Sequence, residues 1–453
     1  MNLEDLRAAL AEPGRVKDDR KTVEEHSSDI SYHPGRAPEA VIYPNSTEEV
    51  SRVLRSAVEQ QVPVVTFGKG TSVEGHVIPP AGAITLDTSL MAEVLEVRPA
   101  DRFARVQPGV TRLRLNEVLE PEGFFFPVDP GANASLGGMA ATNASGSNAV
   151  RYGVMKDNVL GLEVVLADGR IIRTGGRAVK SSAGYNLTAL FVGSEGTLGV
   201  ITELILRVHH LPEKFVVARA TFSDVDEAVA AALRLLYSGS SVGRLELVDE
   251  HTVRAVNAYK GTDYEEAPTL FLEFSGVLVS VERDVAMAEK LCAEQGGVGF
   301  VADEDPQTRA RLWEARHHAA LAIIATAPEK KLMTTDVCVP MTELPGAVRE
   351  ARRIVSLHGL EAAVLGHIGD GNYHAVFMVD PNDSREVQQA EAINKAIVTY
   401  ALSRGGTCTG EHGIGAGKTH YLRAEHGDAV DVMRAIKTAL DPTGILNPGK
   451  VLS

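Results

Sequence analysis

Apolar residues recur every three or four positions through residues 46–60, and polar residues occupy the positions between them. This period predicts an amphipathic helix, which Ser46 or Thr47 can cap at its N-terminus. A short apolar strand is predicted over 62–67, and it runs directly into a glycine-rich loop that begins at Gly68. A helix, a strand and a glycine loop in this order predict an α/β unit.

The next part of the chain contains short strands joined by turns. One strand pattern ends near residue 166, a turn follows at Asp168-Gly169, and a later strand is predicted to run through Leu206. Before these strands, residues 127–153 consist largely of glycine, alanine and other small residues. We expect no ordinary strand or helix core there, but a backbone that approaches a ligand closely.

The pattern changes near residue 211. Predicted strands and helices then alternate at 215–221, 224–237, 245–248, 270–274 and 280–295. This α+β alternation, with fewer glycines, predicts a second domain. A helix is predicted near 430–440, and a Pro/Gly loop follows it. We therefore divide the chain into domains at 1–210, 211–425 and 426–453.

The stretch 365–377 places Asp370-Gly371 between two runs of β-forming residues. A two-residue type I′ turn there would set His367 opposite His374, with Cβ atoms roughly 4.5–5.5 Å apart. Two imidazoles at that separation can bind one metal ion, although a surface hairpin with two incidental histidines is the alternative. A metal site also needs a third ligand. Glu411, on a glycine-rich loop, would complete a His₂-carboxylate set with a coordination position left open for substrate.

Two further side chains are candidates for catalysis. His412 follows Glu411 directly and can act as a base beside the metal, unless both are simply exposed loop residues. Arg316 can clamp a carboxylate through parallel hydrogen bonds, or it can be a solvated helix arginine. The Gly417-Lys418-Thr419 run resembles a phosphate-binding P-loop. That pattern fails, because the glycine required five positions before Gly417 is His412.

Three glycine-rich segments lie in the N-terminal half of the chain, at 68–75, 131–146 and 193–199. The first can form an anion cradle of backbone N–H groups, or a plain turn. No GxGxxG sequence opens a long helix, which argues against a Rossmann dinucleotide site. Three such loops in one domain favour an extended ligand that carries phosphates.

Composition narrows the class of protein. The 453 residues carry a formal net charge of −15, which argues against broad nucleic-acid binding and against adsorption to an anionic membrane. Three cysteines without CxxC spacing favour a reducing compartment. The N-terminus lacks a signal-peptide pattern, and the apolar run 319–327 is shorter than the roughly 20 residues of a membrane span. These features predict a cytoplasmic protein, and they leave peripheral contact with a membrane open.

Taken together, the motifs resemble the FAD-dependent 2-hydroxyacid dehydrogenases of the vanillyl-alcohol oxidase/PCMH flavoprotein superfamily. Within it, the likeness is to the family of cytochrome-type D-lactate dehydrogenases and glycolate oxidase D subunits. The resemblance covers nearly the whole chain. It rests on FGKGTSVEG at 67–75, PVDPG at 127–131, LGGMAAT at 136–142, AVRYG at 149–153, AGYNLT at 183–188, GSEGTLG at 193–199, TTDVCVP at 334–340, GHIGDGNYH at 366–374, TCTGEHG at 407–413 and NPGK at 447–450.

The resemblance implies an α+β fold. It consists of a PCMH-type FAD-binding domain, a ferredoxin-like cap domain with the substrate and metal residues, and a C-terminal segment that returns to the flavin. FAD is expected to bind noncovalently, although His76 lies near the place where some members attach it covalently. The residues implied to hold FAD are Phe67, Gly68, Lys69, Gly70, Thr71, Ser72, Gly75, Asp129, Pro130, Leu136, Gly137, Gly138, Met139, Thr142, Asn143, Gly146, Gly153, Glu195, Gly196, Gly199, Val200, Ile201 and Asn447.

The resemblance also implies roles for the candidate site residues. His367, His374 and Glu411 match the ligands of a divalent metal, zinc or manganese, in relatives that have one. His412 matches their catalytic base, and Arg316 lies where they hold the substrate carboxylate.

The implied substrate is a short D-2-hydroxyacid. Relatives that act on hydroxyglutarate use a threonine, a lysine and an asparagine for the distal carboxylate, where this chain has Ala320, Thr334 and Val376. Oxidation of D-lactate to pyruvate is therefore expected, with electrons passed to a cytochrome, a quinone or an electron-transfer flavoprotein. A homodimer is the expected assembly. The alternatives are a glycolate oxidase subunit, a D-2-hydroxyglutarate dehydrogenase, and a non-catalytic protein that binds flavin or metal.

Overall fold

The computed structural model of the chain describes residues 2–452, which divide into two compact units. The first unit contains the chain up to Ser145, then Gly153–Leu211, and then the chain from Glu411 onward. The second unit contains Gly146–Tyr152 and Pro212–Gly410. The chain therefore passes from one unit to the other within the small-residue segment, at Leu211, and again at Glu411.

The strands are numbered in chain order. They are β1 Val16–Lys17, β2 Ala40–Ile42, β3 Val64–Phe67, β4 Ile84–Asp87, β5 Val94–Arg98, β6 Phe103–Val106, β7 Phe124–Phe125, β8 Val159–Val165, β9 Ile171–Gly175, β10 Val200–Arg207, β11 His209–His210, β12 Lys214–Thr221, β13 Val242–Val248, β14 Thr269–Gly276, β15 Val298–Asp303, β16 Lys331–Thr334, β17 Val337–Cys338, β18 Ala363–Gly366 and β19 Asn372–Val379.

The α-helices are numbered in the same way. They are α1 Leu3–Ala8, α2 Arg20–Glu25, α3 Thr47–Gln60, α4 Arg112–Leu119, α5 Leu136–Thr142, α6 Ala149–Tyr152, α7 Met155–Asn158, α8 Leu187–Phe191, α9 Val225–Tyr237, α10 Glu250–Lys260, α11 Leu278–Glu294, α12 Pro306–His317, α13 Ala319–Thr326, α14 Leu344–His358, α15 Ser384–Ser403, α16 Leu422–His426 and α17 Ala429–Leu440. Within residues 2–452, none of the helices combines the length and the apolar character that a membrane crossing requires.

The first unit is built on two sheets. One has the strand order β1-β2-β4-β3, with β2, β4 and β3 parallel, and the other is antiparallel with the order β5-β6-β10-β8-β9. Helix α3 forms as predicted: the Ser46 side chain accepts the Glu49 N–H, and the buried face of the helix packs in one cluster with β2, β3 and β4. Its neighbour β3 ends at Phe67, where the first glycine loop begins.

The second unit has one antiparallel sheet with the order β15-β12-β14-β13-β18-β19-β16, and β17 pairs with β19. The first four strands of this unit are β12, β13, β14 and β15. Helix α9 follows β12, helix α10 lies between β13 and β14, and helix α11 lies between β14 and β15. This alternation and the spatial order 4-1-3-2 are those of a ferredoxin-like unit. The predicted α+β fold with a ferredoxin-like cap is confirmed. Strands β18 and β19 extend the sheet beyond β13; His367 directly follows β18, and His374 lies on β19.

One expectation about the small-residue segment is wrong. A helix, α5, forms within residues 127–153, although no ordinary helix was expected there. The physical reason is close packing: a Cβ atom at Gly137 would lie 2.5 Å from the Cβ atom of Pro108. The glycines and alanines let this helix lie against backbone that a larger side chain would push away.

Candidate active site

The first glycine loop packs its backbone directly against the small-residue segment of the first unit. A Cβ atom at Gly68 would lie 2.3 Å from the Ser135 Oγ atom, so a larger residue would require the Ser135 hydroxyl to move. Gly70 has a φ of +63°, in the left-handed region that glycine adopts without steric cost. This packing places backbone rather than bulky side chains at the junction, which suits a ligand that carries phosphates.

The third glycine loop joins the same assembly. The Glu195 N–H donates to the Ala141 carbonyl oxygen at 2.8 Å, and the Asn447 Nδ2 atom donates to the Glu195 carbonyl oxygen at 2.7 Å. Asn447 also donates to the carbonyl oxygen of His76 at 3.2 Å. The first unit thus brings predicted flavin residues from all three glycine-rich segments and from the C-terminal segment together. Their contact with FAD stays a prediction.

Some predicted flavin residues have other surroundings. The Asp129 carboxylate lies 3.0 Å from the Arg112 guanidinium, and the pair anchors its loop to α4. Val200 and Ile201 pair with β8 in strand β10, and their side chains are buried in hydrophobic clusters. Gly146 belongs to the second unit, whereas the other predicted flavin residues lie in the first.

A buried ion pair lies beneath these loops. The Nε2 atom of His76 is 3.2 Å from the Glu195 Oε2 atom, and both side chains are buried. Burial lowers the pKa of His76, but the negative charge and hydrogen bond of Glu195, together with the charges of Glu74 and Asp29, raise it above its ordinary value. The carboxylate therefore favours the protonated form of the imidazole.

The same carboxylate holds the C-terminal segment in the first unit. Glu195 accepts the Ile414 N–H at 2.6 Å and the Gly415 N–H at 2.8 Å. A second buried carboxylate, Glu74, lies 3.0 Å from the Lys418 Nζ atom, while its backbone carbonyl accepts the Ala416 N–H at 2.9 Å. Burial raises the pKa of Glu74, but the charge of Lys418 and the hydrogen bonds from His33 and Lys418, together with the charge of His412, outweigh it and lower the pKa. Two buried acids therefore fix residues 414–418.

The predicted third ligand and base lie at the start of this fixed segment. The Glu411 and His412 side chains are 11% and 20% exposed, and their carboxylate and ring nitrogen approach to 3.9 Å. They are therefore not the exposed loop residues of the alternative interpretation. Their roles as ligand and base stay predictions.

The second unit brings His367 and His374 together, but through a different hairpin from the one predicted. The structure pairs His374 with Leu365, not with His367, because the connection between β18 and β19 is longer than two residues. Asp370 lacks the positive φ that a type I′ turn requires, so the predicted register is wrong. The two imidazole rings nevertheless lie 5.9 Å apart, with ring nitrogens within 4.8 Å of each other.

Each of these imidazoles is oriented by an acceptor at its Nδ1 atom. His367 Nδ1 lies 2.7 Å from the Glu246 Oε1 atom, and His374 Nδ1 lies 3.1 Å from the Thr335 carbonyl oxygen. Both partners only accept hydrogen bonds, so each Nδ1 carries its proton, and a neutral ring has its lone pair on Nε2. This is the tautomer that a metal-binding histidine with an outer-shell acceptor uses.

Glu246 contacts a second candidate residue. Its Oε2 atom accepts a hydrogen bond from the Arg316 Nη2 atom at 2.6 Å, and the two side chains are 1% and 8% exposed. Arg316 is therefore not a solvated helix arginine. One carboxylate thus joins the residue predicted to hold the substrate to one of the predicted metal ligands.

Sequence reasoning missed Glu246. A signal was present in the alternation of β13, since Arg244 and Glu246 occupy every second position of a strand otherwise made of apolar and small residues. Charged residues are rarely fully buried unless they are paired. Two of them on one face of a central strand therefore indicate partners that cover that face, here Trp313 and Arg316 of helix α12.

Asp336 is a further buried carboxylate near His374. Its Oδ1 atom is 3.6 Å from the His374 Nδ1 atom and accepts a hydrogen bond from Asn372 at 2.8 Å. Its Oδ2 atom accepts from the Thr409 hydroxyl at 2.6 Å, and its carbonyl oxygen accepts the Gly410 N–H at 3.2 Å. These bonds fix the end of the second unit beside His374.

Two family models match the chain. The FAD binding domain model matches residues 38–175, and the model described as FAD linked oxidases, C-terminal domain, matches residues 211–451. Among solved structures, 4-ethylphenol oxidase from Gulosibacter chungangensis has a TM-score of 0.82 at 19% identity, with 99% of this chain and 96% of that chain covered. That likeness concerns the fold alone.

Two curated relatives match at higher identity. "Probable D-lactate dehydrogenase, mitochondrial" from Danio rerio is 46% identical over 433 residues, which are 95% of this chain and 87% of the relative. "D-lactate dehydrogenase [cytochrome], mitochondrial" from Arabidopsis thaliana is 44% identical, over 93% of this chain and 75% of the relative. The prediction of a cytoplasmic protein is wrong by this comparison, since both relatives are mitochondrial. The negative charge and few cysteines behind that prediction do not distinguish the two locations.

Proposed function

Since the chain belongs to the FAD-linked oxidase family of D-lactate dehydrogenases and glycolate oxidase D subunits, we propose that it oxidises D-lactate to pyruvate with bound FAD. It is an FAD-dependent oxidoreductase of the α+β, PCMH-type fold. The observation that carries the choice of site is the contact of one carboxylate, Glu246, with both Arg316 and His367. That contact keeps a guanidinium for the substrate carboxylate beside the histidine pair.

We further propose that His367 and His374 bind a divalent metal, zinc or manganese, with Glu411 as the third ligand. The residues fit such an ion, because both Nδ1 atoms donate to fixed acceptors, which leaves the lone pair of each ring, in its neutral form, on Nε2. Glu411 is joined by a peptide bond to Gly410, whose N–H is fixed by Asp336. A His₂-carboxylate set leaves coordination positions open.

The residues of the chain then have separate tasks. Bound FAD supplies the hydride acceptor, and a bound divalent ion supplies a Lewis acid. Arg316 holds the carboxylate of D-lactate through its guanidinium. His412 accepts the proton of the substrate hydroxyl as a general base. Glu195 accepts the N–H of Ile414, two residues beyond His412, so the His412 imidazole lies on a fixed segment.

The structure supports a short substrate over a dicarboxylate. Val376 lies two residues beyond His374 on β19, and alternate residues of a strand share one face. Its side chain is buried and offers no hydrogen bond to a second carboxylate. For the electron acceptor we propose a cytochrome, which the name of the Arabidopsis relative supports. We retain the homodimer as a proposal, which light scattering on the purified protein tests.

The test is anaerobic reduction of the bound flavin. Purified holoenzyme, supplied with zinc or manganese, is mixed with D-lactate, L-lactate, glycolate or D-2-hydroxyglutarate, and the visible flavin absorbance is followed. We expect D-lactate to bleach the flavin rapidly and L-lactate not to bleach it. Glycolate and D-2-hydroxyglutarate should bleach it more slowly than D-lactate. Bleaching by glycolate faster than by D-lactate would replace the proposed substrate. No bleaching by any D-2-hydroxyacid would overturn the enzyme assignment.

A further inference from the structure

Glu246 occupies an unusual position in the second unit. It is completely buried in the central strand β13. Its two carboxylate oxygens meet two separate partners, Arg316 from helix α12 and His367 from the loop after β18. A buried carboxylate is expensive unless such hydrogen bonds compensate it.

We propose that Glu246 is a positioning residue that sets both the tautomer of His367 and the orientation of Arg316. This inference rests on the proposed function, in which His367 binds a metal and Arg316 binds the substrate carboxylate. A carboxylate cannot donate a hydrogen bond, so its contact forces the His367 proton onto Nδ1 and leaves the lone pair on Nε2. The same group fixes Arg316 through Nη2, while the Arg316 Nε atom is buried with no hydrogen bond to the protein.

His374 shows why this role belongs to Glu246 and not to the hairpin in general. The Nδ1 atom of His374 donates to a backbone carbonyl, that of Thr335, which no side-chain substitution removes. His367 depends on a side chain for the same orientation. Substitution of Glu246 therefore disturbs one ligand of the pair and leaves the other in place.

The chain offers a matched control in Glu273 on the neighbouring strand β14. Glu273 is also buried, and its Oε2 atom accepts hydrogen bonds from Trp313 at 2.7 Å and Arg309 at 2.8 Å, both on helix α12. It differs from Glu246 in having no histidine among these partners. Loss of either carboxylate loosens α12 on the sheet, but only loss of Glu246 changes the proton position on His367.

The experiment compares Glu246→Gln with Glu273→Gln. A glutamine has one acceptor and one donor group, so it cannot accept from both Arg316 and His367. Manganese binding to the FAD-loaded enzyme is measured by isothermal titration, together with the KM for D-lactate and the melting temperature. We expect both variants to melt earlier. Only Glu246→Gln should bind manganese about 10–100-fold more weakly, the usual effect of losing an outer-shell partner, and show a raised KM.

Equal manganese affinities in the two variants would overturn the proposal, and so would a wild-type enzyme that binds no manganese while D-lactate bleaches its flavin. In that last case the proposed oxidation of D-lactate stands. Failure of D-lactate to bleach the wild-type flavin overturns the function instead, and the manganese titrations still decide the role of Glu246. If Glu246→Gln is not recovered folded, Glu246→Asp is used. It keeps the charge but reaches only one partner, and weaker manganese binding is again expected.

Discussion

The imidazole of His76 lies 3.2 Å from the Glu195 carboxylate, and both side chains are buried in the first unit. Burial lowers the pKa of His76, but the charges of Glu195, Glu74 and Asp29 raise it by more, so the pKa lies above its ordinary value. A histidine whose pKa is raised by folding stabilises the folded state fully below its unfolded pKa, roughly 6.5, and loses that contribution as pH rises through the folded pKa.

We therefore expect a pH-dependent stability difference between the wild type and His76→Gln. Breaking a buried ion pair from one side costs about 3–5 kcal/mol, and this cost should be greatest near pH 6. The difference in melting temperature between the two holoenzymes should narrow as pH rises above 6.5. His251→Gln, at a histidine whose side chain is 41% exposed, serves as the control. A difference that stays constant from mildly acidic to alkaline pH would contradict the pairing.

Gly415 is a position at which the packing of the C-terminal segment can be tested. It has a φ of +51°, and a Cβ atom there would lie 2.1 Å from the Glu74 carbonyl oxygen. Gly123 also has a positive φ, +77°, but nothing lies within 4 Å of its Cβ position. Both alanine variants bear the left-handed penalty of about 1–2 kcal/mol, but only Gly415→Ala adds a backbone clash.

We expect Gly415→Ala to lower the melting temperature of the holoenzyme more than Gly123→Ala does. It should also slow flavin reduction by D-lactate, because Gly415 lies three residues after the proposed base His412. Stopped-flow absorbance measures the reduction, and scanning calorimetry measures the melting temperature. If the two variants lose the same stability, the close contact of Gly415 with Glu74 is not a constraint on the fold.

Asn447 connects two of the glycine-rich loops to the end of the chain. Its side-chain amide donates to the carbonyl oxygens of His76 and Glu195, and its φ of +40° is one that asparagine tolerates. Asn447→Asp keeps the shape but cannot donate either hydrogen bond. We expect a loss of about 1–3 kcal/mol from the unpaired buried groups and weaker FAD retention on dialysis. Full retention of FAD at an unchanged melting temperature would show that the amide does not hold these loops.

The sequence predicted helices and strands well where one local pattern decides them. Helix α3 follows from its apolar period and from Ser46, whose hydroxyl accepts the Glu49 N–H at 3.3 Å. The closeness of His367 and His374 was predicted, but the predicted register, with the two residues directly opposite each other, is wrong. The turn signal in Asp370-Gly371 indicates a reversal, whereas the length of the loop is set by packing of Gly369 and Gly371 against β13 and Val339.

The partners of the site residues could not be predicted from local sequence. Glu246 lies 70 positions before Arg316 and 121 positions before His367. The chain brings them together only when β13 pairs with β18 and α12 packs on the sheet. The same holds for His76 and Glu195, since spacing within either motif says nothing about an ion pair between two loops.

His374→Ala tests whether the histidine pair binds a metal or only supports the hairpin. His374 is buried, and its Nδ1 atom donates to the Thr335 carbonyl oxygen. If it is a ligand, the alanine variant should lose manganese binding and D-lactate oxidation while the flavin absorbance of the purified protein stays unchanged, because the predicted flavin loops lie in the first unit.

The matched control is His358→Ala. His358 is another histidine of the second unit, and its Nδ1 atom lies 2.9 Å from the Ile354 carbonyl oxygen at the end of α14. Loss of one such hydrogen bond costs about 1 kcal/mol, so this variant should keep both manganese and turnover. Loss of flavin together with metal in His374→Ala would mean that the hairpin has a structural role. Removal of a residue that only binds the metal should not disturb the glycine-rich loops of the first unit.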